Sequence, residues 1–188
     1  MPRLLALAGL LFALSIPVAI AQSTTPTPTQ WRAAVDQSLP LLGHRNWILI
    51  VDSAYPLQSS AGVETIETEA SQMEVARYVL NAVHHSIHVR ADILMDAELP
   101  FVPEQDAPGV TAYRADIAKF VAGAHIESRP HEQLIARVDE AGKTMHVLIL
   151  KTKITVPYSS IFIRLNCKYW SDDAEKRLRS AMTSAGAQ

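Results

Sequence analysis

The chain has 188 residues and nearly balanced charge, with 17 Lys and Arg against 19 Asp and Glu. That length suggests one domain with an independent core, and the absence of any basic block excludes an electrostatic footprint for nucleic acid. A single cysteine, Cys167, excludes an intramolecular disulfide, so stability must come from the core and from oligomerisation.

Residues 1–21 have the form of a cleavable secretory signal. Arg3 precedes the apolar run 4–16, Pro17 breaks that run, and Ala19-Ile20-Ala21 supplies a small-x-small end. The apolar centre is shorter than a membrane span, so a cut after Ala21 is expected rather than an anchor. No cysteine follows the cut, which argues against a bacterial-type lipid anchor. The expected product is a secreted or periplasmic protein with no membrane contact after cleavage. Removal of Arg3 leaves 16 basic and 19 acidic groups, a net charge of −3 with neutral histidines.

Residues 22–30, rich in Ser, Thr and Pro, read as a flexible leader, and 31–188 as a single domain. Trp31, Ala34, Val35 and Leu39 have helical spacing until Pro40 interferes. The unbroken apolar run 47–51 is a buried strand, with His44 just before it, Asp52 at its end and Pro56 beyond. In open α/β sheets ligands gather beyond the carboxyl ends of strands, so Asp52 stands where chemistry is expected. His44 can join it only if the chain folds back or a neighbouring subunit supplies it.

Residues 58–69, mostly polar around Gly62, read as a loop long enough to cover a site. Ser71 and Glu74 form a capping box that opens a helix carrying Val75, Val79 and Val83. Residues 88–95 are a second strand ending at Asp96, and 98–109, with three prolines, are a loop. Helices are expected over 111–122 and 130–141, a brief extended piece over 125–127, strands over 145–150 and 160–165, and a last helix over 171–182. Strands alternating with helices give an α/β fold, a sheet in three layers with helices on both faces. Cys167 continues the alternation of Ile163 and Leu165, which places it on a buried strand face.

Several chemistries lack their parts. His84 and His88 stand four apart, as zinc ligands on a helix do, but no HExxH glutamate lies between them and Ile87-His88-Val89 has strand character. No metal is expected; these are solvated or interface histidines. There is no nucleophile elbow and no phosphate-binding glycine loop. Acid–base chemistry without a cofactor remains, for which histidines and an aspartate are suitable.

Residues 42–56, with Leu-Gly-His, a hydrophobic strand, Asp52 and a turn ending in Pro56, resemble the start of the D-ribose pyranase / L-fucose mutarotase family. Pro130-His131-Glu132-Gln133 resembles that family's His-Glu-Gln helix start. Val156-Pro157-Tyr158-Ser159-Ser160-Ile161-Phe162-Ile163 resembles its Pro-Tyr-Ala-Asn-Ile-Ile-Leu segment before the last strand. The three segments fall in the family's order over residues 40–166.

The resemblance implies a ribose pyranase-like fold, rings of subunits with pockets at their interfaces, and a cofactor-free isomerase that interconverts sugar ring forms or anomers. On matching positions it makes His44 the general acid/base and Asp52 its partner, with His131, Tyr158 and Ser160 binding the sugar. Asn46 replaces an acid common in the family, Ser160 an asparagine, and Lys153-Ile154 a Gly-Glu turn. The alternatives are a non-catalytic protein that binds a sugar or small polar ligand on the same fold, and a scaffold subunit using Tyr169-Trp170 as a contact.

Overall fold

The computed structural model describes residues 30–186. The expected signal and almost all of the leader lie outside that range. The elements run α1 (Gln30–Ser38), β1 (Trp47–Val51), β2 (Val63–Glu67), α2 (Gln72–His85), β3 (Val89–Asp96), the 3-10 turn η1 (Leu99–Phe101), α3 (Val110–Phe120), β4 (Ile126–Arg129), α4 (His131–Gly142), β5 (Val147–Lys151), β6 (Ile161–Cys167) and α5 (Asp172–Gly186).

The six strands form one sheet in the order β2-β5-β1-β6-β3-β4. β1, β2 and β5 run parallel, as do β3 and β4, while β6 is antiparallel to both β1 and β3. Five strands therefore end at the same edge, and β6 starts there. Alternate residues of each strand feed opposite faces, the period-2 rule of a pleated sheet. Ile48, Ile50, Met95, Leu148 and Ile161 pack with α1, α2 and α3, whereas Leu49, Val51, Leu94, Ile149 and Phe162 pack with Leu134 and Val138 of α4. Helices cover both faces, as expected for a three-layer α/β sheet. The central run Trp47–Val51 is buried at every position because it is sandwiched between the two helical layers.

Local signals set most element ends. The Ser71 hydroxyl accepts the Glu74 N–H at 3.3 Å and caps α2. α1 stops at Ser38, ahead of Pro40.

The polar stretch 58–69 departs from expectation. It is not a free loop, because residues 63–67 form edge strand β2 against β5. An edge strand buries little, so its polar Glu64 and Glu67 hide the strand signal. Gly62 is required at its start. A Cβ there would lie 2.4 Å from the Met145 carbonyl oxygen and 2.5 Å from that of Gly142.

His88 is a structural group. Its Nε2 faces the carbonyl oxygens of Leu39 (3.2 Å) and Leu42 (3.0 Å), and its Nδ1 meets the Ser86 hydroxyl at 2.9 Å. Nε2 is thus the donor and Nδ1 the acceptor, so neither nitrogen is available as a ligand. Cys167 is half-buried at the end of β6, less enclosed than the alternation of Ile163 and Leu165 implies, because the pairing with β1 stops at Arg164 and only β3 flanks it.

Candidate functional site

The edge where the parallel strands end carries the candidate chemistry. Asp52 follows β1, Asp96 closes β3, His131 opens α4 straight after β4, and Tyr158 and Ser160 lead into β6. The strand register explains the convergence. Ile161 pairs with both Ile50 and Met95, so Ser160 lies level with the ends of β1 and β3.

The best-defined contact is between His131 and Asp96. The imidazole Nδ1 stands 3.0 Å from Asp96 Oδ1, and the carboxyl is completely buried. Asp96 Oδ2 is enclosed with no hydrogen-bond partner. Burial raises the Asp96 pKa to about 6, with Glu98 and Asp52 adding negative charge nearby and the His131 hydrogen bond working the other way. With Asp96 ionised, Nδ1 of His131 is the donor of this bond and Nε2 points away from the carboxylate. Glu98 accepts the His131 backbone N–H at 3.0 and 3.1 Å and fixes the first turn of α4. The Tyr158 ring meets the imidazole edge-on, with centroids 5.4 Å apart.

Tyr158 has a left-handed backbone, φ +56°, which is unfavourable for a residue with a Cβ. The next residue is pinned from below. The Ser159 carbonyl accepts from Gln72 Nε2 at 2.8 Å and from the Tyr113 hydroxyl at 2.6 Å. Gln72, itself buried, also donates to the Ile50 carbonyl and accepts from Thr152 Oγ1. Replacing Gln72 by Leu strands these buried groups, and urea denaturation is expected to show a loss of about 2–3 kcal/mol. A loss below about 0.5 kcal/mol would show that Gln72 is not what holds this segment.

Asp52 is half-buried, and its Oδ1 accepts the Ala54 N–H at 2.8 Å, so it shapes the turn after β1 as well as charging the edge. Tyr55, in the same turn, has its phenol pushed up by burial and by Asp139, Asp96 and Asp52. Ser160 is buried.

His44 lies elsewhere. It precedes β1, at the opposite edge of the sheet, and about 15 Å of strand separates it from Asp52. Within one chain the two do not meet. At its own edge His44 is well oriented: its Nδ1 is 2.9 Å from Asn166 Oδ1. Asn166 Nδ2 donates to Asp92 and its Oδ1 accepts the Cys167 N–H, which fixes the amide orientation. His44 Nδ1 must therefore donate, leaving Nε2 as a base. Asn46 takes no part in this; it accepts the Gly43 N–H and donates to the His146 carbonyl, a turn-building role.

The resemblance grouped His44, Asp52, His131, Tyr158 and Ser160 in one site; within one chain the last four stand at one edge and His44 at the other. Sequence reasoning marked Asp96 only as a strand end and gave no role to Glu98 or Gln72. A second carboxylate closing a strand was the available signal for Asp96. Among the described residues, no group of three or more His, Cys, Asp or Glu is placed to hold a metal, and no helix is long and apolar enough to cross a membrane.

Solved structures with this fold include RbsD of Bacillus subtilis complexed with D-ribose, at 13% identity and TM-score 0.50, covering 70% of this chain and 90% of that one. The fucose mutarotase of Streptococcus pneumoniae in complex with L-fucose aligns at 20% identity and TM-score 0.49, covering 73% and 94%. FucU of Bifidobacterium longum aligns at 13% and 0.46, covering 70% and 92%. No curated protein matches the chain in sequence. Residues 32–167, however, match the RbsD / FucU transport protein family across the whole sheet, and the chain belongs to that family.

Proposed function

We propose that this protein is an exported, cofactor-free sugar mutarotase or pyranase-like isomerase, working as a homo-oligomer. The observation that carries the proposal is the buried Asp96 carboxyl holding the His131 imidazole beside Tyr158. Family membership and the D-ribose bound to the Bacillus subtilis neighbour support the substrate class.

The reaction needs only proton transfers. A base removes the proton from the anomeric hydroxyl, an acid protonates the ring oxygen, and the bond between the anomeric carbon and that oxygen breaks to give the open-chain aldehyde. Reclosure on the other face, or through a different hydroxyl, runs the transfers in reverse. His44, with Nε2 basic, moves the proton. His131, oriented by Asp96, together with Tyr158 and Ser160 holds the sugar, and Asp52 supplies negative charge.

His44 and this cluster stand at opposite edges, so a complete site takes two copies. Both edges offer apolar contact: Leu57 and Phe101 are exposed on one, Leu41 on the other. A head-to-tail contact between unlike edges closes into a ring. Export rests on the signal-like residues 1–21.

Proton NMR saturation transfer on the mature protein with ribose, fucose and other aldoses tests the activity. Exchange between anomer or ring-form signals above the buffer rate, and its loss in His44→Ala, is the expected result. Exchange at the buffer rate for every sugar overturns catalysis. Line broadening without exchange would then establish a sugar-binding protein on the same fold.

A further inference from the structure

The last helix has no place in the core. α5 buries none of its residues, and the core clusters contain nothing beyond Leu165. The family match also ends at residue 167, before α5 begins. This C-terminal stretch nevertheless builds something. With the end of β6 it walls a cavity of about 560 Å³, lined by His44, Asn166, Tyr169, Trp170, Asp172 and Glu175 among others. That is within the usual range for small-molecule sites, about 300–1,000 Å³.

The added wall is aromatic and acidic. Trp170 is 43% exposed and Tyr169 78%, in a chain whose other two tryptophans, Trp31 and Trp47, are buried. The Trp170 indole is nonetheless fixed. Its Nε1 donates to Glu175 Oε2 at 2.8 Å, and Glu175 Oε1 accepts from Arg179 Nε at 2.7 Å. These bonds hold the Glu175 carboxyl below its usual pKa, so it is ionised at neutral pH. An exposed indole held rigid loses little entropy when a ligand stacks on it.

Such a wall suits a sugar. The C–H face of a pyranose packs on an indole, and a carboxylate accepts hydrogen bonds from its hydroxyls in pairs. His44 lines the same cavity, so a ring seated here lies next to the ring on which His44 acts. We propose that this cavity is a second saccharide subsite, and that the substrate is the reducing end of a disaccharide or longer oligosaccharide. The penultimate ring stacks on Trp170 while the reducing ring enters the His44–His131 pocket. The choice of a carbohydrate ligand rests on the proposed isomerase reading.

Acrylamide quenching of tryptophan fluorescence isolates Trp170, because the other two tryptophans are buried. The mature protein is titrated with cellobiose, maltose and lactose, and in parallel with glucose, ribose and fucose. At least one disaccharide is expected to lower the quenching constant saturably, about twofold, with no effect of the monosaccharides. Glu175→Ala, which frees the indole, is expected to weaken that disaccharide about tenfold. No protection by any disaccharide overturns the subsite, even where ribose or fucose exchange is catalysed and the isomerase stands. Saturable protection without catalysed exchange of any sugar upholds the subsite and removes the isomerase. Protection that rises with protein concentration and ignores sugars overturns it in favour of a contact between copies.

Discussion

Co-refolding two inactive variants, His44→Ala and His131→Ala, is expected to restore sugar exchange to about a quarter of the wild-type rate. The basis is the separation of the two histidines across the sheet. His44 precedes β1, and His131 follows β4 at the other edge. If each site takes His44 from one copy and His131 from the next, random mixing leaves about one site in four with both imidazoles intact. Each variant alone has none. Loss of the general acid/base is expected to lower exchange about 10²–10⁴-fold, so recovery stands out against a low background. A mixture no more active than its parts would show that the site is not composite. Activity in His44→Ala alone would remove that residue from catalysis.

The second large effect concerns stability. Asp96→Asn is expected to stabilise the fold at neutral pH, by up to about 3 kcal/mol, with the gain vanishing below about pH 4. The cause is the cost of ionising a carboxyl that is wholly buried and has one oxygen without a partner. Its pKa stands at about 6 in the fold, raised from an ordinary 3.8. A raised acid favours the folded state below the unfolded value, and that contribution is lost as pH rises through about 6. Asparagine keeps an oxygen to accept from His131 Nδ1 but cannot ionise. Urea denaturation of both proteins from pH 4 to pH 8 checks the sign. A variant that is less stable at pH 7 would show that the charge–imidazole attraction outweighs the desolvation cost.

The two effects pull in different directions for the molecule. A group that weakens the fold when ionised stands beside an imidazole and a strained tyrosine, and the proposed site rests on that combination. Tyr158 bears its left-handed backbone because Gln72 and Tyr113 hold the following carbonyl.

The sequence by itself determined most of the strands and helices. The run 47–51, the capping box at Ser71 and Glu74, and the alternation through 161–165 are local patterns, and local sterics and burial enforce them. It also placed Asp52, His131 and Tyr158 at element ends. Edge strand β2 escaped notice because one exposed face removes the apolar signal. Only the tertiary structure decided which ends share an edge. β6 runs antiparallel between β1 and β3, and that placement brings Ser160 level with the ends of both and leaves His44 on the far side. Strand order and register depend on contacts between residues far apart in the chain, which no local period encodes. The same holds for the burial of Asp96: its desolvation and its neighbours Glu98, His131 and Asp52 come from three separate stretches of chain, assembled only when the sheet closes.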